Sequence, residues 1–193
     1  MSRSVIAYVL DRLKQEGLTD VFGVPGDFAF AINDAVCLDP DLRWVGCCNE
    51  LNAAYAADGY ARVKGFAALS TTYGVGELSA LCGVAGSYTE NLPVFHLVGM
   101  PNTQTQRAQR LVHHTLGNGE FALFAKMASP AACASAVLTP ENTVAEMERL
   151  IQAAWYWRAP VYIAIPADHA EAEVVHSGAP APPPARSDPD TLA

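Results

Sequence analysis

The sequence predicts an α/β fold in three layers, with a mostly parallel six-stranded sheet covered by helices on both faces. Short apolar runs alternate with helix-length segments from Val5 to Pro166, which is the pattern of parallel strands joined by crossover helices. The run at residues 93–99 is apolar except for one histidine and the glycine that ends it. Such runs are typical of strands whose two faces are both covered.

Each predicted element has a local signal. Apolar positions at helical spacing over residues 5–13 predict a first helix, which Gly17 ends. Asn49 is a good N-cap for an alanine-rich helix that carries Glu50 in its first turn and ends near Gly65. The predicted strands are residues 20–24, 43–48, 66–72, 93–99, 126–129 and 161–165. The other predicted helices are residues 28–36, 77–85, 120–124 and 142–157, and residues 100–118 are expected to form a loop.

The composition indicates a substantial core and some additional buried surface. At 193 residues the chain is long enough for one large domain. Its hydrophobic content of 51% is higher than is typical of a small soluble domain, which favours burial against another subunit or domain. The 12 basic and 20 acidic residues give a net charge of −8 without a basic cluster, so we expect no nucleic-acid partner.

The chain is expected to be soluble and cytoplasmic. It begins with an amphipathic helix instead of a signal-peptide hydrophobic region, and no apolar run reaches the length of a membrane span. Five cysteines form an odd set without CxxC spacing, so we expect reduced core thiols, not disulfides or a zinc site. The adjacent pair Cys47 and Cys48 falls in a strand that we expect to be buried.

Four features that could carry chemistry follow successive predicted strands. Asp27 follows the first strand, Glu50 the second and the glycine-rich turn at residues 73–76 the third, while His113 and His114 lie in the loop after the fourth. In open α/β sheets, ligands bind outside the carboxyl ends of the strands. Each feature also has a simpler explanation, because acids stabilise helix N-termini, glycines form tight turns and histidines occur at surfaces. Their occurrence at one end of the sheet favours a shared site.

Other ligand classes have weaker support. The GxG at residues 74–76 lacks the third glycine of the dinucleotide-binding fingerprint. Adjacent histidines rarely point the same way, and no HxxxH or HExxH spacing is present, so we expect no metal site. His96 lies within an apolar strand and is expected to be a hydrogen-bonded core residue. His169 and His176 are expected at the surface or in the tail.

Several motifs resemble those of thiamine-diphosphate-dependent 2-oxo acid decarboxylases, of the type that acts on pyruvate, indolepyruvate or phenylpyruvate. They are GVPGD at 23–27, NELNA at 49–53 with YAR at 60–62, TTYGVGELSA at 71–80, AGSY at 85–88 and HHTLGNG at 113–119. The resemblance covers about residues 4–175, and the paired histidines are its most specific part. It implies the thiamine-diphosphate-binding fold, and within it the N-terminal, pyrimidine-binding domain.

The resemblance also implies how the cofactor is bound and activated. Glu50 would contact the aminopyrimidine ring of thiamine diphosphate and share a proton with a ring nitrogen, which activates the cofactor. Pro25, Thr72 and Val75 would line the pyrimidine pocket, partly through backbone groups.

On the substrate side, the resemblance implies a second group of residues. Asp27, His113 and His114 would place the substrate carboxylate and supply a proton after carbon dioxide leaves. Closely spaced titrating groups share their protons, so the individual roles of these three residues are left undivided.

The chain departs from the family pattern in one respect. Family members bind the diphosphate and Mg²⁺ through a separate C-terminal domain with a Gly-Asp-Gly motif, which this chain lacks. We therefore expect residues 1–175 to be the pyrimidine-binding domain, and the Pro- and Ala-rich residues 176–193 to be a linker towards missing domains. The isolated domain is expected to be inactive and to form a homo-oligomer, a dimer or tetramer, through the Glu50 helix.

Three alternatives stay open. The chain could belong to a carboligase or synthase of the same superfamily, or to a two-chain enzyme whose cofactor domain is a separate polypeptide. It could also be a non-catalytic α/β module that binds a nucleotide or a protein. Pyruvate, indolepyruvate and phenylpyruvate are not ranked as substrates, because most of the side-chain pocket is expected from other domains.

Overall fold

The computed structural model describes residues 3–175, which contain one six-stranded, entirely parallel sheet. The strands are β1 (Asp20–Gly23), β2 (Arg43–Gly46), β3 (Ala67–Thr72), β4 (Val94–Met100), β5 (Ala134–Val137) and β6 (Val161–Pro166). The helices are α1 (Val5–Gln15), α2 (Phe30–Leu38), α3 (Glu50–Lys64), α4 (Val75–Thr89), α5 (Thr103–Arg107), α6 (Leu123–Ala128), α7 (Thr143–Trp157) and α8 (Ala167–Ala170). The predicted three-layer α/β fold is confirmed.

The order of the strands creates a topological switch point at the carboxyl end of the sheet. Across the sheet the order is β2-β1-β3-β4-β6-β5, so the chain runs from β1 to one side and then returns to its other side for β3. At such a switch point the connections leave in opposite directions and open a space for a ligand. The loops that follow β1 and β3 carry Asp27 and residues 73–76, two of the predicted site features.

Two hydrophobic cores lie on opposite faces of the sheet. One is formed with α1, α2 and α7, and the other with α3 and α4. Strand β4 contributes side chains to both cores, because successive side chains of a strand point to opposite faces of the sheet. Phe95 and Leu97 belong to the first core, whereas Val94 belongs to the second and Val98 to a smaller third cluster that includes α6.

The alanines of α3 allow close packing against α4 of the same chain. Ala53, Ala54 and Ala57 are fully or almost fully buried. A Cβ atom added to Gly83 of α4 would lie 2.5 Å from the Cβ of Ala54, so neither helix has room for a larger side chain there. The alanines pack against α4 and are therefore not the part of α3 left for another chain.

The prediction of the fifth strand was wrong. Residues 126–129 lie at the end of α6 and the start of a short 3-10 turn, Ser129–Ala131, and the strand is Ala134–Val137. Phe124 and Ala128 are both buried, and their spacing of four residues places them on one face of a helix. The predicted helix at 120–124 is likewise displaced to α6, and the predicted loop at 100–118 contains the short helix α5.

The expectation of a buried second strand with core thiols was also wrong. Strand β2 is an edge strand of the sheet, with exposed or half-buried residues throughout. Cys48 is exposed and Cys47 is only half-buried, and the other three cysteines are exposed or half-buried as well. All five are free thiols within the described chain.

Two further expectations concern the membrane and the tail. No helix among residues 3–175 is long and apolar enough to cross a lipid bilayer. The proposed linker at residues 176–193, with His176, lies outside the described residues.

Candidate active site

The structure brings three of the predicted site residues together, Asp27, His113 and His114, which we call the His–Asp cluster. The Nε2 atom of His113 lies 2.7 Å from Oδ2 of Asp27, and Nε2 of His114 lies 3.9 Å from Oδ1 of the same residue. The ring of His113 stacks on Phe28, with 4.9 Å between the ring centroids and 16° between the planes. Both imidazoles thus face one carboxylate against an aromatic wall.

The backbone of His114 explains how two adjacent histidines converge. Its φ angle is 61°, in the left-handed region that few non-glycine residues occupy. Successive side chains of an extended chain point to opposite sides, and a left-handed residue breaks that alternation. The two ring centroids are consequently only 4.5 Å apart. The expectation that adjacent histidines point apart was wrong for this pair.

Gly74 positions the loop that carries the histidines. It has φ 67° and ψ −99°, and a Cβ atom built on it would lie 1.9 Å from the carbonyl oxygen of His114. Only glycine combines this backbone conformation with so close an approach. The turn after β3 therefore supports the His–Asp cluster directly.

The Glu50 side chain lies beside the first turn of α4. Asn49 caps α3 as predicted, since its Oδ1 accepts a hydrogen bond from the backbone N–H of Asn52 at 2.8 Å. The Oε1 atom of Glu50 lies 3.2 Å from the position that a Cβ atom on Gly76 would take. The Glu50 side chain is half-buried, and among residues 3–175 it makes no hydrogen bond or ion pair. Its carboxylate is free to interact with a ligand.

Two of the residues predicted to line a pocket, Thr72 and Val75, lie near this carboxylate. The Thr72 hydroxyl is buried and has no hydrogen-bond partner in the described part of the chain. A Cβ atom on Gly76 would come within 2.9 Å of the Thr72 side chain, so Thr72 and Glu50 flank the same glycine. Val75 is 52% exposed and Pro25 is exposed, which leaves apolar surface uncovered beside the two polar groups.

Glu77 is a buried acid that was placed on a helix by the sequence but not assigned to the site. Its Oε1 accepts a hydrogen bond from the Gly74 N–H at 2.8 Å, and its Oε2 accepts one from the Tyr162 hydroxyl at 2.8 Å. Burial raises the pKa of the Glu77 carboxyl to about 6, against the opposing effect of these two hydrogen bonds. An acid three residues after a helix N-cap is a capping signal that could have identified it. Through these two hydrogen bonds, Glu77 connects the turn at Gly74 to strand β6.

The raised pKa of Glu77 predicts a pH-dependent stability. Because this pKa is about 6 in the folded chain and 4.5 ordinarily, the folded state holds the proton more tightly than the unfolded state. The resulting stabilisation is fully present below pH 4.5 and is lost as the pH rises through 6. We expect the free energy of unfolding to fall by about 2 kcal/mol over that window from this group.

Urea unfolding of the chain and of Glu77→Gln, below and above the window, measures this contribution. The difference between the two pH profiles isolates Glu77, since all other titrating groups are common to both proteins. Parallel profiles for the two proteins would contradict the assignment.

His96 is confirmed as a core histidine. It is 3% exposed, and its Nε2 lies 2.9 Å from the Thr71 hydroxyl. Burial lowers the pKa of its imidazole to about 3, so the ring is neutral at ordinary pH. His96 is therefore a structural residue, distinct from the His–Asp cluster.

Comparison with known proteins identifies relatives of the chain. A family model described as "Thiamine pyrophosphate enzyme, N-terminal TPP binding domain" matches residues 3–121. Pyruvate decarboxylase from Kluyveromyces lactis is 49% identical over 162 residues, which cover 83% of this chain and 29% of that protein. Alpha-keto-acid decarboxylase from Mycobacterium leprae is 45% identical over 179 residues, which cover 93% of this chain and 32% of that protein.

A solved structure shares the fold. A thiamine diphosphate-dependent 4-hydroxybenzoylformate decarboxylase from Rhodococcus jostii RHA1 superposes with a TM-score of 0.76 over 88% of this chain and 31% of its own, at 24% sequence identity. The chain thus spans less than a third of the length of each of these proteins.

Proposed function

Because the chain belongs to the thiamine pyrophosphate enzyme family, through the N-terminal TPP binding domain, we propose that it supplies the pyrimidine-binding half of a 2-oxo acid decarboxylase site. One observation carries the proposal. Gly76 lies beside the free carboxylate of Glu50 and Gly74 beside the backbone of His114, so both features meet the start of α4, next to the switch point of the sheet. A cofactor-activating acid and a proton-transfer group are the two functions that such a reaction requires from protein side chains.

The residues present fit the pyrimidine portion of thiamine diphosphate. The unpartnered Thr72 hydroxyl offers a hydrogen bond, and the absence of a side chain at Gly76 leaves the space beside Glu50 open. A buried hydroxyl without a partner is costly, which favours a ligand that satisfies it. The uncovered apolar side chains of Val75 and Pro25 suit the faces of an aromatic ring.

Glu50 would hold a proton at a ring nitrogen of the aminopyrimidine. Its carboxylate has no competing partner among the described residues, and its position at the start of α3 is fixed by the Asn49 cap. When bound, thiamine diphosphate supplies the carbon nucleophile and the electron sink that let a 2-oxo acid lose carbon dioxide. The role of the chain is to place the acid that shares its proton with the cofactor.

The His–Asp cluster would position the substrate and move protons on its side of the cleft. Asp27 and His113 are in hydrogen-bond contact, and His114 reaches the same carboxylate from its other side. Because the three side chains meet at one carboxylate, the proton delivered after carbon dioxide leaves is assigned to the cluster as a whole. The side chains are exposed enough to meet a substrate, at 41% for Asp27, 57% for His113 and 35% for His114.

The remaining parts of the site belong to other domains under this proposal. Residues 1–175 would be the pyrimidine-binding domain and residues 176–193 a linker, with Mg²⁺ and the diphosphate held elsewhere. The outer side of α3 would contact a partner subunit in a homo-oligomer, since Tyr55 and Val63 are 54% and 82% exposed there. The cytoplasm is the proposed location, and pyruvate or an aryl-pyruvate the proposed substrate.

A domain exchange tests the function. The chain replaces the matching N-terminal segment of the Kluyveromyces lactis pyruvate decarboxylase. Carbon dioxide release from pyruvate, phenylpyruvate and indolepyruvate is followed with and without added thiamine diphosphate. We expect cofactor-dependent decarboxylation of pyruvate, or of phenylpyruvate or indolepyruvate if the domain influences substrate choice.

Two results would argue against the proposal, one from the chimera and one from the free chain. A chimera that folds and oligomerises like the parent enzyme but decarboxylates none of the three acids would contradict the proposal. Tight, magnesium-independent nucleotide binding by the free chain would instead support a non-catalytic module.

A further inference from the structure

The His–Asp cluster has the composition and spacing of a transition-metal site. We propose that Asp27, His113 and His114 form a three-ligand site for a borderline divalent metal ion of the Zn²⁺ type. One ligand atom from each residue lies within 4.8 Å of the other two. The binding itself does not depend on the proposed function, whereas its consequence for activity rests on that function.

The distances within the cluster lie on either side of the separation that a bound metal ion requires. Bonds of about 2.0–2.1 Å to a tetrahedral Zn²⁺ place two ligand atoms about 3.3 Å apart. The structure has 2.7 Å between His113 Nε2 and Asp27 Oδ2, and 3.9 Å between His114 Nε2 and Asp27 Oδ1. These two distances are to different oxygens of Asp27, and they lie below and above the required separation, so the side chains must rotate to bring one ligand atom each onto an ion.

The cluster is preorganised for convergent ligation. The left-handed backbone of His114 directs both imidazoles to one carboxylate, and Phe28 restrains them by stacking on His113 and meeting His114 edge-on at 6.2 Å. Much of the entropy that two histidines lose on binding a metal is therefore already lost in the folded chain. The partial exposure of the three side chains leaves further coordination positions open to water.

The ligand types determine which ions bind. Two imidazoles and one carboxylate suit Zn²⁺, Cu²⁺ and Ni²⁺, whereas Mg²⁺ and Ca²⁺ prefer sets made of oxygen atoms alone. The ion would occupy the same nitrogen and oxygen atoms that the proposed function uses for proton transfer. Metal binding and proton transfer at this cluster would exclude each other, so Zn²⁺ would be an inhibitor and not a cofactor.

Calorimetric titration of Zn²⁺ into the full chain tests the site. The exposed thiols are first alkylated under native conditions, because Cys37, Cys48 and Cys82 are exposed and thiolates bind Zn²⁺. We expect one ion per chain and no binding of Mg²⁺. His113→Ala and Asp27→Asn should each weaken the Zn²⁺ affinity by at least about tenfold.

A matched histidine substitution serves as the control. His169 lies outside the cluster, and its Nδ1 is 3.0 Å from the Leu138 carbonyl oxygen, so His169→Ala should change the Zn²⁺ affinity by less than about twofold. Circular dichroism verifies that each variant is folded. Equal affinity in the chain, His113→Ala and Asp27→Asn would overturn the proposal, as would the absence of binding at about 100 µM Zn²⁺.

Discussion

Replacement of Glu50 by glutamine in the domain-exchange chimera is expected to lower kcat for decarboxylation by about 10²–10⁴-fold, with the fold unchanged. The amide preserves the shape of the side chain but has no proton to share with the cofactor. Because the Glu50 side chain has no hydrogen-bond or ion-pair partner among residues 3–175, the free energy of unfolding of the chain should change by less than about 0.5 kcal/mol. The measurement is kcat at saturating substrate and cofactor, together with urea unfolding of the 193-residue chain.

The control is a carboxylate at the opposite end of the sheet. Asp41 lies in the connection before β2 with 76% of its side chain exposed, so Asp41→Asn should leave kcat within about twofold of the parent chimera. A Glu50→Gln chimera with nearly normal kcat would remove Glu50 from the mechanism. A loss of similar size in Asp41→Asn would indicate a general effect of carboxylate removal.

Replacement of Gly74 by alanine is expected to destabilise the chain by about 2–5 kcal/mol. The added Cβ atom would stand 1.9 Å from the carbonyl oxygen of His114, and alanine is strained at a φ of 67°. The loop that carries His113 and His114 must move to relieve the overlap. The variant should therefore also lose activity in the chimera, and Zn²⁺ affinity in the free chain.

Gly59→Ala provides the matched control for this substitution. Gly59 lies within α3, and a Cβ atom built on it meets nothing within 4 Å. Alanine should raise the free energy of unfolding by about 0.5–1 kcal/mol there, because it is the better helix former. If urea unfolding places Gly74→Ala within about 0.5 kcal/mol of the unsubstituted chain, the described contact with His114 is wrong.

The elements with chemical signals at their ends were predicted well from the sequence. Helix α3 runs from Glu50 to Lys64, with Asn49 as its cap and Gly65 in the left-handed conformation at its end, as expected. These signals are local, because a cap or a C-terminal glycine acts within one turn of its own position. Strands β3, β4 and β6 are buried along their full length, and the apolar sequences of β4 and β6 mark them as strands covered on both faces.

Edge strands were predicted poorly for a physical reason. Strand β5 consists of Ala, Ser, Ala and Val with half-buried and exposed residues in alternation, so it has little hydrophobic signal. Strand β2 is apolar in sequence, but its place at the edge of the sheet is a property of the topology. Burial there depends on which strands pair, and no local pattern contains that information.

The location of the candidate residues in the fold could be predicted from the sequence, but their geometry could not. The rule that ligands bind at the carboxyl ends of strands assembled Asp27, Glu50 and the two histidines correctly at one end of the sheet. The convergence of the imidazoles depends on the left-handed backbone of His114. Only glycine adopts that conformation routinely, so a histidine in the sequence does not predict it. The role of Glu77 depends on Tyr162, far away in the sequence, and is visible only in the folded chain.

The two edge strands of the sheet influence how copies of this chain can associate. Strands β2 and β5 have one side unpaired in the described chain, yet each is only four residues long, and β2 begins with Arg43, whose side chain is 75% exposed. Short edge strands and an exposed charged side chain such as Arg43 make it unfavourable for a strand of another molecule to pair with the sheet. Fibrous growth by strand addition is therefore disfavoured, and contacts between molecules are directed to the helical layers.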